Sequence, residues 1–282
     1  MKKWTMIFLL LIVLMLTVSV SIKTYVTSTV ESRLLSNGRI IDYFPSDVGM
    51  DIENNYIDVQ GTSLNYWWVP ASTELSDKSV LIFHGQGETI SDWVPAIYVL
   101  NQRGFNVMIY DYSGYGLSDD SRGVGSWTSE AQAMLNLFQG LAVGSRYLLG
   151  FSLGGAVLLD TLAQEPQDIC SLAIVSTFSS LREVVADSVP ALRHIPGLLP
   201  SYFNSVSVLQ NVENAALFLG IRSDEVIPIK HHFALQRVAS QHIMFHEISD
   251  PFNHNDFWQK PEELPMQEVV NFFLSETSCE SA

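Results

Sequence analysis

The strongest constraint in this sequence is a rhythm of short apolar runs separated by stretches with helical periodicity. The runs fall at 80–83, 105–110, 147–149, 172–175, 215–219 and 242–245. Each is too short for a helix and lacks alternating polar positions, which is how strands buried on both faces read. Between them, 92–102 can form a helix stopped by Gly104. The stretch 129–141 carries Ala131, Met134, Leu135, Phe138 and Leu141 on one helical face, with Ser129 as its N-cap. A helix of small and aliphatic residues is expected at 153–163, and a terminal one at 262–274. Such alternation implies right-handed crossovers and a mostly parallel sheet with helices on both faces. A hairpin comes first: 56–60 and 64–69 read as strands around the polar turn Gly61-Thr62-Ser63, adding antiparallel strands at one edge. At 181–212 the alternation lapses. Pro190, Pro196, Gly197 and Pro200 lie there among apolar residues, which predicts a short lid over the C-terminal edge of the sheet. Its Leu198, Leu199, Tyr202 and Phe203 either line a hydrophobic pocket or pack the lid onto the core.

This α/β region occupies 56–282. Before it, Met1-Lys2-Lys3 leads into a charge-free run from Trp4 to Ile22, ended by Lys23. One reading is a secretory signal peptide, with Ser19 and Ser21 as small residues at the cleavage site. The other is an uncleaved single-span anchor, which needs about 20 apolar residues. The run is long for the first and sufficient for the second, so the anchor is preferred. In both cases Lys2 and Lys3 stay cytoplasmic and the remainder is exported. Residues 23–55 have weak periodicity and read as a stalk and approach segment.

The chain of 282 residues has 30 Asp+Glu against 15 Lys+Arg, a formal net charge of −15. Such a surface repels phosphate backbones, which argues against nucleic acid as a partner. No basic block is present to attract anionic lipid headgroups. Cys170 and Cys279 belong to no Cys/His cluster, so a zinc site has no support. Cys170 sits in an apolar run and reads as core; a Cys170–Cys279 disulfide is open in an oxidising compartment.

One pentapeptide carries chemistry. Gly150-Phe151-Ser152-Leu153-Gly154 lies between the run at 147–149 and the small-residue helix that follows. A serine hydroxyl is a weak nucleophile unless a base and a carbonyl meet it together. A sharp strand-to-helix turn pushes the serine out to do so, and glycines on either side allow the close backbone approach. The helix opening at Leu153 has free N–H groups in its first turn, so the Leu153 amide can serve as an oxyanion donor.

Together with four further motifs, this pentapeptide resembles the α/β-hydrolase superfamily. The chain is most similar to single-domain serine hydrolases with an HGxGE-type turn, a DYxGYGxS loop and a short lid, a group that includes esterases and protein depalmitoylases. The resemblance implies an α/β-hydrolase fold with roles for particular residues. In His84-Gly85-Gln86-Gly87-Glu88, Gln86 gives the second oxyanion amide and His84 is structural. In Asp111-Tyr112-Ser113-Gly114-Tyr115-Gly116-Leu117-Ser118, Asp111 organises the loop. Asp224, in Gly220-Ile221-Arg222-Ser223-Asp224-Glu225-Val226-Ile227-Pro228, matches the triad acid, with Glu225 a solvated neighbour. His254, in Phe252-Asn253-His254-Asn255-Asp256, matches the base, although Phe252 and Asn253 stand where relatives carry small residues. The order Ser152, Asp224, His254 is that of the fold. His194, His231, His232, His242 and His246 fit no motif, and His231-His232 reads as the exposed start of a helix. The implied activity is hydrolysis of a small-molecule or acylated ester or thioester through an acyl-enzyme, with no metal or organic cofactor. A peptidase, or a binding or scaffold protein that kept the fold, are the rival readings.

Overall fold

The computed structural model describes residues 2–35, 40–72, 76–164 and 168–275. Its strands are β1 (Glu53–Val59), β2 (Thr62–Val69), β3 (Lys78–Phe83), β4 (Phe105–Tyr110), β5 (Ser145–Phe151), β6 (Ser171–Val175), β7 (Ala215–Ile221) and β8 (Ile243–Ile248). They form one eight-stranded sheet in the order β1-β2-β4-β3-β5-β6-β7-β8. β1 and β2 pair antiparallel, and β2 runs antiparallel to β4; the other pairs are parallel. This is the α/β-hydrolase architecture, with the expected hairpin at one edge. The hairpin turn is tighter than the sequence suggests. Gln60 and Gly61 form a two-residue turn with φ of 55° and 83°, the geometry that matches strand twist. The Asp58 carboxylate accepts the Gly61 N–H at 3.0 Å.

The central parallel strands are apolar over their middle residues because both faces are covered, while the edge strand β8 is partly exposed, with His246 and Glu247 in it. The helices are α1 (Lys2–Leu34), α2 (Val94–Gln102), α3 (Trp127–Leu141), α4 (Leu153–Leu162), α5 (Leu181–Ser188), α6 (Ser205–Val208), α7 (Lys230–Gln236), α8 (Asp256–Gln259) and α9 (Leu264–Ser275). Trp127, Met134 and Phe138 of α3 pack with α4 over one face. Ile97 of α2 and Val270 and Phe273 of α9 cover the other.

Three local expectations need correction. The first concerns α3, which begins at Trp127, so Ser129 lies inside the helix and Ser126 takes the N-cap position. The cause is Trp127, which is fully buried and donates its indole N–H to the Ser113 carbonyl at 3.1 Å, drawing the preceding turn into the helix. The second concerns His231 and His232, which are buried, at 1% and 7% exposure. His231 bridges Ser179 (2.8 Å from Nδ1) and Asp187 of α5 (2.9 Å from Nε2). His232 packs against β7 where Gly220 leaves room: a Cβ there would lie 2.5 Å from the ring.

The third correction concerns α1, which does not stop where its apolar run does. It continues to Leu34, so the first third of the segment read as a stalk is helix. Val26, Val30 and Leu34 recur every fourth residue and pack against the domain core, a single-stripe periodicity. The end of α1 is held by side chains of the domain. Gln86 donates to the Arg33 carbonyl at 3.1 Å and Tyr115 donates to the Leu34 carbonyl. Tyr202 donates to Glu31 at 2.9 Å. Carbonyls at a helix C-terminus have no partner within the helix, so these contacts replace water. Cys170 is half-buried, and its Sγ accepts the Arg146 N–H at 3.3 Å. The Cys170–Cys279 pairing turns on Cys279, which lies outside the described residues.

Burial pushes the His232 pKa down to about 4, from an ordinary value near 6.5. Between those values the unfolded chain binds a proton that the folded chain does not. Stability from this site is therefore intact above about pH 6.5 and is lost as pH falls toward 4. Replacing His232 with Phe is expected to reduce the drop in thermal midpoint between pH 7 and pH 4.5, measured by circular dichroism on the full chain in detergent.

Candidate active site

Ser152 sits at the sharp turn between β5 and α4, with φ of 52° and ψ of −119°. A non-glycine residue in such a conformation costs about 1–3 kcal/mol and persists only where its surroundings impose it. Here the Ser152 N–H donates to the Val175 carbonyl at 2.9 Å. Its carbonyl accepts from Gly155 N–H at 3.1 Å and from the Thr177 hydroxyl at 2.8 Å. Gly154 is obligatory: a Cβ there would lie 2.0 Å from the Phe83 carbonyl oxygen.

The loop after β8 brings His254 to this serine. Its Nε2 is 3.0 Å from Ser152 Oγ, and its Nδ1 is 2.7 Å from Asp224 Oδ2. Asp224 stands in the loop after β7. Its other oxygen, Oδ1, accepts the N–H groups of Val226 (2.8 Å) and Ile227 (2.7 Å), which aims Oδ2 at the imidazole. With Nδ1–H donating to Asp224, Nε2 is left as the acceptor facing the hydroxyl. All three side chains are buried. The His254 ring lies on Phe151, with centroids 4.7 Å apart. Glu225 is exposed but not idle, since it accepts the His254 backbone N–H at 3.0 Å. Phe252, the departure from the family pattern, packs with Ile221 and Ile248, and Ser223 holds its carbonyl at 2.7 Å.

Leu153 opens the first turn of α4, and Gln86 lies in the turn after β3. Both border the same cleft as Ser152. His84 and Asp111 are not among the residues that line the cleft. His84 Nδ1–H donates to the Gly85 carbonyl at 2.9 Å, and Nε2 is 3.4 Å from Asp111 Oδ1. Burial disfavours a charged ring, but Asp111 and Glu88 outweigh it and raise the His84 pKa. Asp111 Oδ1 also accepts the Ile90 N–H at 3.0 Å.

Sequence reasoning gave Glu88 no role. Its buried carboxylate accepts from Gly85 N–H (2.7 Å), Trp93 Nε1–H (2.8 Å) and Trp258 Nε1–H (3.0 Å). It thereby joins the turn bearing Gln86 to α8, which follows His254. Burial raises the Glu88 pKa, while the nearby His84 and the N–H donors pull it back. The available signal was its fixed place at the last position of the His-Gly turn.

A cleft of about 430 Å³ opens above Ser152, within the range of about 300–1,000 Å³ typical of small-molecule pockets. One wall is α5 and the residues after it: Leu181, Val184, Val185, Val189 and Leu192. The opposite wall is α1, through Tyr25, Val26, Thr29, Val30 and Leu34. The four lid residues singled out from sequence lie elsewhere. Leu199 and Phe203 are buried in the core, Phe203 stacking on Trp127. Tyr202 binds Glu31, and Leu198 lines an open hollow beside the apolar part of α1. They fix the lid, and the side chains facing the serine come from earlier in it.

The sheet order, the elbow and the strand-end loops define an α/β hydrolase. The family described as serine aminopeptidase, S33 matches residues 75–227, more than half of the chain, and the chain belongs to that family. It is similar to the uncharacterized protein YfhR of Escherichia coli (strain K12), 26% identical over 223 residues, covering 76% of this chain and 78% of YfhR. The uncharacterized membrane protein YNL320W of Saccharomyces cerevisiae is 30% identical over 165 residues, 56% of this chain and 58% of that protein. Among solved structures, the Pyrococcus furiosus esterase Pf2001 has the same fold. Its TM-score is 0.66 at 18% identity, over 84% of this chain and 96% of that one.

Glu88→Gln leaves a carbonyl for two donors but turns an NH2 toward either Trp258 or the Gly85 and Trp93 donors. In the orientation that keeps the two donors, the Trp258 N–H loses its acceptor, at a cost of about 1–3 kcal/mol. Chemical denaturation should show that loss, accompanied by a change in tryptophan fluorescence.

Proposed function

We propose that this α/β hydrolase is a membrane-anchored serine hydrolase that cleaves carboxylic esters or thioesters through an acyl-enzyme. The observation that carries the reading is the continuous relay from Asp224 through His254 to Ser152, at 2.7 and 3.0 Å, on a strained elbow beside two backbone amides. His254 takes the Ser152 proton as Oγ bonds to the acyl carbon. Asp224 stabilises the resulting imidazolium. The Leu153 and Gln86 amides hold the oxyanion. The bond to the leaving alcohol or thiol then breaks, and His254 returns the proton to it. Water, deprotonated by His254, attacks the acyl-enzyme, releasing the acid and restoring Ser152. These steps draw on protein groups and water alone.

Anchoring is supported by α1, whose apolar part is exposed along its length and is long enough to cross a bilayer. The yeast relative is itself called a membrane protein. Retention of the apolar part, rather than its removal at Ser19 or Ser21, is supported by the open hollow that Leu198 of the lid lines together with Leu14 and Val18. With Lys2 and Lys3 on the cytoplasmic side, the catalytic domain faces outward. The family description names an aminopeptidase. Against that activity, no carboxylate is found among the described residues lining the cleft to receive a substrate ammonium group.

Ser152→Ala is expected to abolish labelling by a fluorophosphonate probe that the wild type takes up. Unchanged labelling of the variant would refute the nucleophile, and an unlabelled wild type would favour the binding-protein reading. Asp224→Asn should keep the fold but lower kcat by roughly 10⁴, because the imidazole is then held in the wrong tautomer; steady-state turnover of a p-nitrophenyl ester measures this.

A further inference from the structure

The charge-free part of α1, Trp4 to Ile22, is about 28 Å long at the rise of an α-helix, close to the roughly 30 Å hydrocarbon core of a bilayer. The lid does not stay clear of it. The turn Pro196–Leu198 lies beside α1, and its Leu198 lines an open hollow together with Leu14, Met15, Val18 and Ile22. Leu14 lies about 12 Å along the helix axis from Ile22, on the side away from the domain. With α1 spanning the membrane, the lid tip is therefore sunk into the adjacent leaflet. The lid's exposed apolar groups agree, with Ile195 at 45% and Val189 at 44% exposure. Such groups are costly against water and at home in acyl chains.

The cleft begins where this hollow ends. Tyr25 and Val26 stand one turn beyond Ile22, and Thr29, Val30 and Leu34 carry the same wall on to Ser152. Across from them runs α5. The two walls make a mostly apolar slot that starts at the membrane surface and ends at the nucleophile. Without the wall from α1, the slot would be an open shelf.

We infer that the substrate is a long-chain acyl ester of a bilayer lipid, which enters sideways from the leaflet next to the catalytic domain, between α1 and α5. Val26, Thr29 and Val30 of the anchor helix contact its acyl chain and set the preference for chain length. The inference rests on the serine-hydrolase reading. A net charge of −15 with no basic block points to neutral or zwitterionic lipids over anionic ones. A lipid is favoured over an acylated protein because the entrance lies at the level of the lid tip, where a folded protein body would have to fit between the domain and the bilayer.

The test uses the full-length protein in phosphatidylcholine vesicles. Three substrates are compared: p-nitrophenyl acetate in solution, a hexadecanoyl-cysteine peptide, and 1,2-dihexadecanoylglycerol placed either in the protein's own vesicles or in separate ones. The wild type should hydrolyse the diacylglycerol only when it shares the protein's vesicles. Thr29→Trp, at an exposed position on the cleft wall, should lower the ratio of diacylglycerol to acetate turnover by roughly tenfold. Val189→Trp, on the facing wall, should do the same, so the outcome does not hang on one variant. Equal turnover from separate vesicles, an unchanged ratio in both variants, or turnover of a hexadecanoyl-cysteine peptide in place of the diacylglycerol would overturn the inference. Absence of Ser152-dependent acetate hydrolysis would instead overturn the serine-hydrolase reading.

Discussion

One buried carboxylate holds the site together. Glu88 lies in the apolar layer between the turn after β3 and α8, with indole N–H groups on it from both sides. A buried carboxylate costs several kcal/mol unless charge and hydrogen bonds compensate it. The compensation comes from His84 and from three N–H donors, and each donor belongs to a segment that must be in place for the serine to be served. The Gly85 amide sets the turn carrying Gln86, Trp93 leads into α2, and Trp258 anchors the helix after His254. Loss of any donor would strand the charge, so the carboxylate enforces the mutual placement of loops that come from distant parts of the chain. Asp111 does the same on a smaller scale, linking His84 to the Ile90 amide.

The parts of this arrangement legible in the sequence are those governed by local physics. The central parallel strands read clearly because burial on both faces leaves their middle residues apolar. The elbow could be located because strand, glycines and small-residue helix occur together. Ser152, Asp224 and His254 could be singled out because their motifs follow strands, and the fold collects strand ends. What was not legible depends on partners distant in sequence. Glu88 matters through Trp258, 170 residues away along the chain. His231 looked like a surface residue because nothing nearby announces that Asp187 and Ser179 will close over it. For Leu198, Leu199, Tyr202 and Phe203 the sequence left open pocket lining or packing of the lid, and packing is what Leu199 and Phe203 do in the core. Leucines and valines from earlier in the lid line the cleft.

The second wall shows how composition can mislead. Residues 23–34 are rich in Thr, Ser and Val and carry charge at both ends, so they read as a connector. Their only apolar stripe is Val26, Val30 and Leu34, too narrow to stand out from a single sequence. Three residues suffice because the domain supplies the remainder: polar side chains of the domain take up the terminal carbonyls, and Tyr202 reaches Glu31. Isolated helices of this length are marginal in water. This one is continuous with a longer apolar helix and docked along a folded surface, so its nucleation is already met.

The hydrogen bond from Gln86 to the Arg33 carbonyl joins the end of α1 to the turn that borders the serine. A version of the protein shortened to its globular part for ease of handling would thus lose one wall of the cleft together with the helix. Its cleft would be wider and wetter, and the Gln86 side chain would lose its carbonyl partner. Any study of the isolated domain has to count α1 as part of the cleft.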